Sequence, residues 1–317
     1  MPPLLATIRN WTSTALPGGG PTGAVPIALH WFDSRRHPNF GDRLNGDLLR
    51  LLTGRGIRTA SAADATHVCI GSLLEAFLQR RSRPREGGEP LAVWGSGFIA
   101  APGAHPVLRD DALERLSRPV VLHAVRGRLS LERLRIMGAD ASRTAVGDPG
   151  LLARLLVPRT PARRRFRLGL VPHYVDDRDP VFARVHGRVP GTRIIRVATG
   201  PAAFLAELNE CEVVISSALH GLIAADALGI PNVRARVSDR LTGGDWKFRD
   251  YYSAFDVEPR PLSRDELWNL TAADLARVES ADRIDEAAVS RVIDGLLAAC
   301  PFTICAAEAA AAATAAA

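Results

Sequence analysis

Short continuous apolar runs recur along most of this chain, and between them apolar positions return every three or four residues. The runs at 25–32, 67–71, 91–95, 119–125 and 143–147 read as buried strands, and the stretches between most of them, notably 128–138, as helices. Asn39-Phe40-Gly41-Asp42 is a turn followed by a stripe of Leu44, Leu48, Leu51 and Leu52, so Asp42 is expected to cap a helix there. Alternation of this kind predicts a parallel sheet wrapped by helices. Residues 157–167 interrupt it with two prolines and five arginines, the composition of a linker. It then restarts: strand 167–172, helix near 179–187, strand 192–197, helix 201–210, strand 212–216, helix 220–229, strand 232–237. The expected architecture is α/β, two Rossmann-like domains with the substrate in the cleft between them.

The ends of the chain differ from its middle. Residues 1–24 hold a Gly-Gly-Gly-Pro cluster without periodicity and read as a loose arm. Residues 263–300 read as helices closing the second half, and from Ala306 the chain is almost pure alanine, a low-complexity tail. The expected division is an arm at 1–24, domains at 25–160 and 161–300, and a tail at 301–317.

Composition narrows the function. Of 317 residues 47% are hydrophobic and 23% charged, values of a soluble globular protein. The net charge is +6, yet Lys247 is the sole lysine. Neither a lysine-rich tract nor basic–aromatic interleaving is present, so nucleic acid is not an expected partner. Cys69, Cys211, Cys300 and Cys305 lack CxxC spacing and read as reduced thiols. No apolar run reaches membrane-spanning length, and the amino terminus lacks a signal-peptide pattern. The expected location is cytoplasmic, with at most peripheral contact at the inner face of the membrane.

The candidate chemistry sits where strands give way to helices. Ser216, Ser217 and His220 fall at such a junction, where an open α/β sheet binds ligands and helix amides favour anions. A histidine there can hold a proton near neutral pH; it can equally pack at a helix start. Ser216 and Ser217 suit a phosphate or a helix cap. Arg126 follows a strand and has a guanidinium suited to bidentate grip of phosphate or carboxylate, with Arg234 and Arg236 as weaker candidates. Asn39 and Asp42 lie at the first strand–helix turn, where Asp42 is a cap or a base for a hydroxyl. Asp148 is a cleft carboxylate or a turn former, and His173 a cleft or core residue. Gly41, Gly95 and Gly97 read as backbone necessities of tight turns.

In order along the chain, Asn39-Phe40-Gly41-Asp42-Arg43-Leu44-Asn45, Trp94-Gly95-Ser96-Gly97, Val125-Arg126-Gly127-Arg128-Leu129-Ser130, Gly147-Asp148-Pro149-Gly150, Pro172-His173-Tyr174, Leu219-His220-Gly221 and Trp246-Lys247-Phe248-Arg249-Asp250-Tyr251-Tyr252-Ser253 resemble the motifs of bacterial polysaccharide pyruvyltransferases of the succinoglycan and xanthan type. The resemblance implies a glycosyltransferase-B-like fold. It implies transfer of pyruvate from phosphoenolpyruvate to two hydroxyls of a sugar, giving a cyclic ketal. The acceptor would belong to a cell-surface or exported polysaccharide or its lipid-linked precursor. Phosphoenolpyruvate is then a donor substrate; no cofactor and no metal are expected. His220, Asp42 and Lys247 are the catalytic candidates. Asn39, Gly41, Ser96, Arg126, Asp148, His173, Ser216, Ser217, Arg236 and Trp246 are the substrate-binding candidates. Many members carry arginine where this chain has Ala218, so other arginines are expected to grip the donor. The alternatives are a nucleotide-sugar-dependent glycosyltransferase of the same fold and a non-catalytic polysaccharide-assembly protein.

Overall fold

The computed structural model describes residues 25–32, 38–78, 90–104, 118–157, 164–258, 260–279 and 284–305. The expected arm, the middle of the linker and the alanine tail lie outside them. In the first half β1 (Ile27–His30), α1 (Phe40–Thr53), β2 (Ile57–Thr59), β3 (His67–Val68), β4 (Leu91–Trp94), β5 (Val120–Val125), α2 (Arg128–Ile136) and β6 (Ala145–Val146) follow one another, with 3₁₀ helices at Leu74–Leu78 and Pro149–Leu156. The second half runs β7 (Phe166–Val171), α3 (Pro180–Arg188), β8 (Thr192–Ile194), α4 (Pro201–Asn209), β9 (Cys211–Ser216), α5 (Leu219–Ala227), β10 (Asn232–Arg236), α6 (Trp246–Tyr252), β11 (Leu262–Ser263), α7 (Arg264–Trp268) and α8 (Leu275–Glu279). Helix α9 (Glu286–Ala298) ends the series.

The strands form two sheets, ordered β2-β1-β3-β4-β5-β6 and β11-β10-β9-β7-β8. Every pairing in both is parallel. The protein is therefore α/β with two Rossmann-like halves. Read from its first strand, each half has the same order: second strand, first, third, then outward. Each sheet thus reverses direction once, between β1 and β3 and between β7 and β9.

The continuous apolar runs are explained by burial on both faces. Successive strand residues point to opposite layers. Ile27 and Leu29 face the central core while Ala28 faces the outer layer of the first half. Val214 faces the same central core, and Val213 and Ile215 the outer layer of the second half. The central core is shared by the two halves. Phe40 at the start of α1 stacks on Phe204 of α4 with ring centroids 3.5 Å apart, and every residue of α5 is buried.

Three local expectations change. Asn39, not Asp42, is the N-cap of α1, its Oδ1 accepting from Gly41 N at 3.0 Å. The cap lies one turn earlier because the helix already begins at Phe40, whose ring is buried between the halves. Residues 246–252, assigned to no element from periodicity, form a helix. The last helix does not close the second half with its predecessors. α9 packs on β6 and the 3₁₀ helix Pro149–Leu156, where the Leu296 carbonyl accepts from Trp94 Nε1 at 2.9 Å and Arg154 pairs with Glu286 at 3.0 Å. Its apolar face, Val289, Ile293, Leu296 and Leu297, completes the central core.

Candidate active site

The two reversal points face each other across one cavity of about 240 Å³. From the first sheet come Phe32, Asn39 and Asp42 after β1, and Ser72 and Leu73 after β3. The second sheet supplies His173 and Tyr174 after β7, and Ala218, Leu219 and His220 after β9. Ile99, Thr242 and Lys247 complete the wall. An open α/β sheet leaves a crevice at its reversal point, because the helices flanking it depart to opposite faces. Here two such crevices meet.

Motif residues build the walls. Asn45 donates to the carbonyls of Asp42 and Ile70 and accepts from Ile70 N, fastening α1 to the end of β3. Phe40 N donates to the Val197 carbonyl of the second half at 2.8 Å. Gly41 lies flat against the His220 ring; a Cβ there would be driven into Nδ1 and Cγ. Gly221 is held as closely by Ser216 Oγ and Val171. Gly41→Ala is therefore expected to displace the imidazole and to lower turnover more than Gly46→Ala, whose Cβ meets only the mobile end of Arg50. Parallel turnover and melting measurements on the two variants check this; equal turnover would mean that the contact does not position His220.

The cavity is charged. Lys247, on the first turn of α6, is buried. Burial and the nearby Arg126 charge push its ammonium down to about 8, against the opposing pull of Asp42. His220 is pushed down to about 3 by burial, then by Lys247 and Arg126, and its Nε2 has no hydrogen-bond partner among the described residues. His173 is likewise held at about 3, by burial, Lys247 and His220. Both imidazoles are neutral at pH 7. Beneath them α5 has Ala218 as its N-cap and no side-chain cap among the described residues, so its first amides lack the partner a Ser or Asp would supply. The site thus combines a buried cation, a helix terminus, two neutral imidazoles and the carboxylate of Asp42.

A family model for polysaccharide pyruvyl transferase matches residues 29–237. The chain belongs to that family. It is also 33% identical over 139 residues to an uncharacterized protein of Acanthamoeba polyphaga mimivirus, a match covering 43% of this chain and 48% of that protein. The chain thus spans about half the length of the curated relative it matches. A solved structure of the wall teichoic acid polymerase TagF aligns at 10% identity with a TM-score of 0.42, over 89% of this chain and 85% of that one.

In this member of the family the sequence candidates separate into two groups. Asn39, Asp42, His173, His220 and Lys247 line the cavity. The others do not. Arg126 is wholly buried, with Nε donating to Asp250 Oδ2 at 2.9 Å and the terminal nitrogens donating to Ser72 Oγ and the Phe98 carbonyl. Its fork is occupied by the protein, which corrects its reading as a ligand of the donor. Ser96 Oγ donates to the Gly71 carbonyl. Ser216 Oγ bonds the Val171 and Ala218 carbonyls and Ala218 N, and Ser217 Oγ accepts from His173 N. These serines hold the strand ends in place. Asp148 caps the 3₁₀ helix Pro149–Leu156, and burial raises its carboxyl to about 6. Arg236 pairs outward with Asp239 and Asp245, and Trp246 packs toward the outer core of the first half.

Sequence reasoning passed over Phe32, Ser72, Tyr174 and Thr242 as wall residues, and Asp250 as their support. Tyr174 stood inside the Pro-His-Tyr motif, and Ser72 follows a strand end. Nothing marked Thr242. Asp250 accepts from Arg126, from Ser130 N at 2.8 Å and from Ser130 Oγ at 2.6 Å. It thereby ties α6 to α2 of the first half, one turn along from Lys247.

Proposed function

We propose that this protein transfers pyruvate from phosphoenolpyruvate to two hydroxyls of one sugar residue, in a cell-surface or exported polysaccharide or its lipid-linked precursor. The product is a cyclic ketal, and inorganic phosphate is released. The observation that carries the reading is the convergence of Lys247, His220 and Asp42 on one cavity at the start of α5. The donor brings a phosphate and a carboxylate, and Lys247 with the α5 amides offers them positive charge. Burial, with the Lys247 and Arg126 charges, keeps His220 neutral in the empty site; the donor's negative charges oppose both effects, so the bound donor draws a proton onto Nε2. His220 then delivers it to the donor's methylene carbon, which becomes the methyl group. The carbonyl-like central carbon gains cationic character, and a sugar oxygen attacks it while Asp42 takes the hydroxyl proton. The carbon–oxygen bond to phosphate breaks as the phosphate leaves with the proton held by Asp42, and the second hydroxyl closes the ring and returns its proton to His220. Protons and atoms balance without water.

Incubation with phosphoenolpyruvate and a panel of glycosides, read by phosphate release and product mass, tests the reaction. Transfer that requires a nucleotide sugar instead would assign the site to glycosyl transfer.

The Lys247 ammonium has a pH signature. Its pKa is lowered to about 8, so the cation is present below that pH and is lost as pH rises through it. The ratio kcat/KM for phosphoenolpyruvate, which reports the enzyme before the donor binds, is expected to fall above about pH 8. Lys247→Arg should abolish that alkaline limb without full activity, because a planar fork does not replace a compact ammonium. Lys247→Met should lower kcat/KM at every pH. An alkaline limb that survives in Lys247→Arg would belong to another group.

A further inference from the structure

The cavity adjoins a second, larger basin of about 500 Å³. Its walls carry Arg178, Arg196 and Arg240, from the loops that follow β7, β8 and β10 at the carboxyl edge of the second sheet. The two compartments are neighbours. Tyr174 lines both. Three chain segments also run from one into the other: Pro38 lines the basin and Asn39 the cavity, Asp177 and Arg178 the basin and His173 the cavity, Arg240 the basin and Thr242 the cavity. The inner cavity alone falls below the roughly 300–1,000 Å³ of ordinary small-molecule sites. A donor and a sugar together need more room than it offers.

We propose that the basin binds a phosphoryl group, a phosphate or diphosphate carried by the acceptor, while phosphoenolpyruvate occupies the inner cavity. The acceptor assignment rests on the function proposed above. Guanidinium forks match phosphate oxygens in pairs. Arg196 is oriented by an ion pair with Asp177, and Arg240 by Ser238 and by the buried Asp176 at 3.4 Å. Arg178 makes no ion pair among the described residues and is exposed. A carboxylate has two oxygens and fills one fork; a diphosphate has enough to engage forks arriving from three strand ends. Tyr174 between the compartments would separate the two anions. The acceptor sugar then lies across Tyr174, with its anionic group outside and its hydroxyls toward Asp42.

Calorimetry on the full chain at low ionic strength tests this, with inorganic pyrophosphate and phosphoenolpyruvate as probes. Pyrophosphate is expected to bind protein already saturated with phosphoenolpyruvate. The double variant Arg178→Ala/Arg196→Ala, which leaves the inner wall intact, should weaken pyrophosphate ~10–100-fold, the range for hydrogen bonds to charged groups. Its Kd for phosphoenolpyruvate should not change. Competition between the two probes, an equal loss for both in the variant, or glucuronate binding as tightly as pyrophosphate would overturn the assignment. If pyrophosphate behaves as expected but phosphoenolpyruvate does not bind at all, the basin stands and the proposed donor falls.

Discussion

His220→Ala is expected to lower kcat for ketal formation ~10²–10⁴-fold, the usual contribution of a positioned acid or base, while the protein stays folded at neutral pH. The imidazole lies on the cavity wall, and its Nε2 has no partner among the described residues. Removing it takes away a proton donor without orphaning another group through that nitrogen. The same variant should resist acid better than its parent. The folded pKa of His220, about 3, lies below the ordinary 6.5. The unfolded chain therefore binds the extra proton between those values. Stability from this site is full above pH 6.5 and is lost as pH falls toward 3, at ~1.4 kcal/mol per pH unit. Deleting the imidazole removes that loss, so urea midpoints of variant and parent should converge at pH 4–5 relative to pH 7. Near-normal turnover in His220→Ala would reduce His220 to a packing residue at a helix start.

Arg126→Ala is expected to destabilise the protein by ~3–5 kcal/mol, the cost of leaving one partner of a buried ion pair alone. Asp250, fully buried, would lose its ion-pair partner. Asp250→Ala should cost as much, since it strands Arg126 and also frees Ser130. Replacing both, as Arg126→Met/Asp250→Leu, should cost much less than the two single changes added together, because apolar pairs of similar volume often replace buried ion pairs. Turnover should not return with stability, since the pair docks α6 and so fixes Lys247 and Ser72. Urea unfolding of the four proteins and kinetics on the folded ones decide it. If Arg126→Ala unfolds like its parent and only raises KM for phosphoenolpyruvate, Arg126 is a donor ligand after all.

The outcome for Arg126 shows where sequence reading stops. A guanidinium after a strand end looks the same on paper whether it faces a ligand or a carboxylate. Asp250 lies 124 positions away, and no local pattern joins the two. Lys247 could be singled out by its rarity, but its burial depends on α6 being clasped to α2. His173 and His220 fall in different motifs and reach one cavity only because β7 and β9 are neighbours. The serines misled for a related reason: strand-end hydroxyls serve backbone groups as readily as ligands, and the backbone is nearer.

The sequence by itself determined the two parallel α/β units, most of their strands and helices, and Gly95 as a turn position whose backbone needs glycine. Those features rest on local periodicity and on the absence of a Cβ, and both are written residue by residue. Only the tertiary structure decided that the sheets share one core, that their reversal points face each other, that α9 returns to the first half, and which polar residues meet the cavity. Those outcomes depend on contacts between residues far apart in the chain. The free energy of burying such surfaces and pairing such charges arises only once both partners are in place.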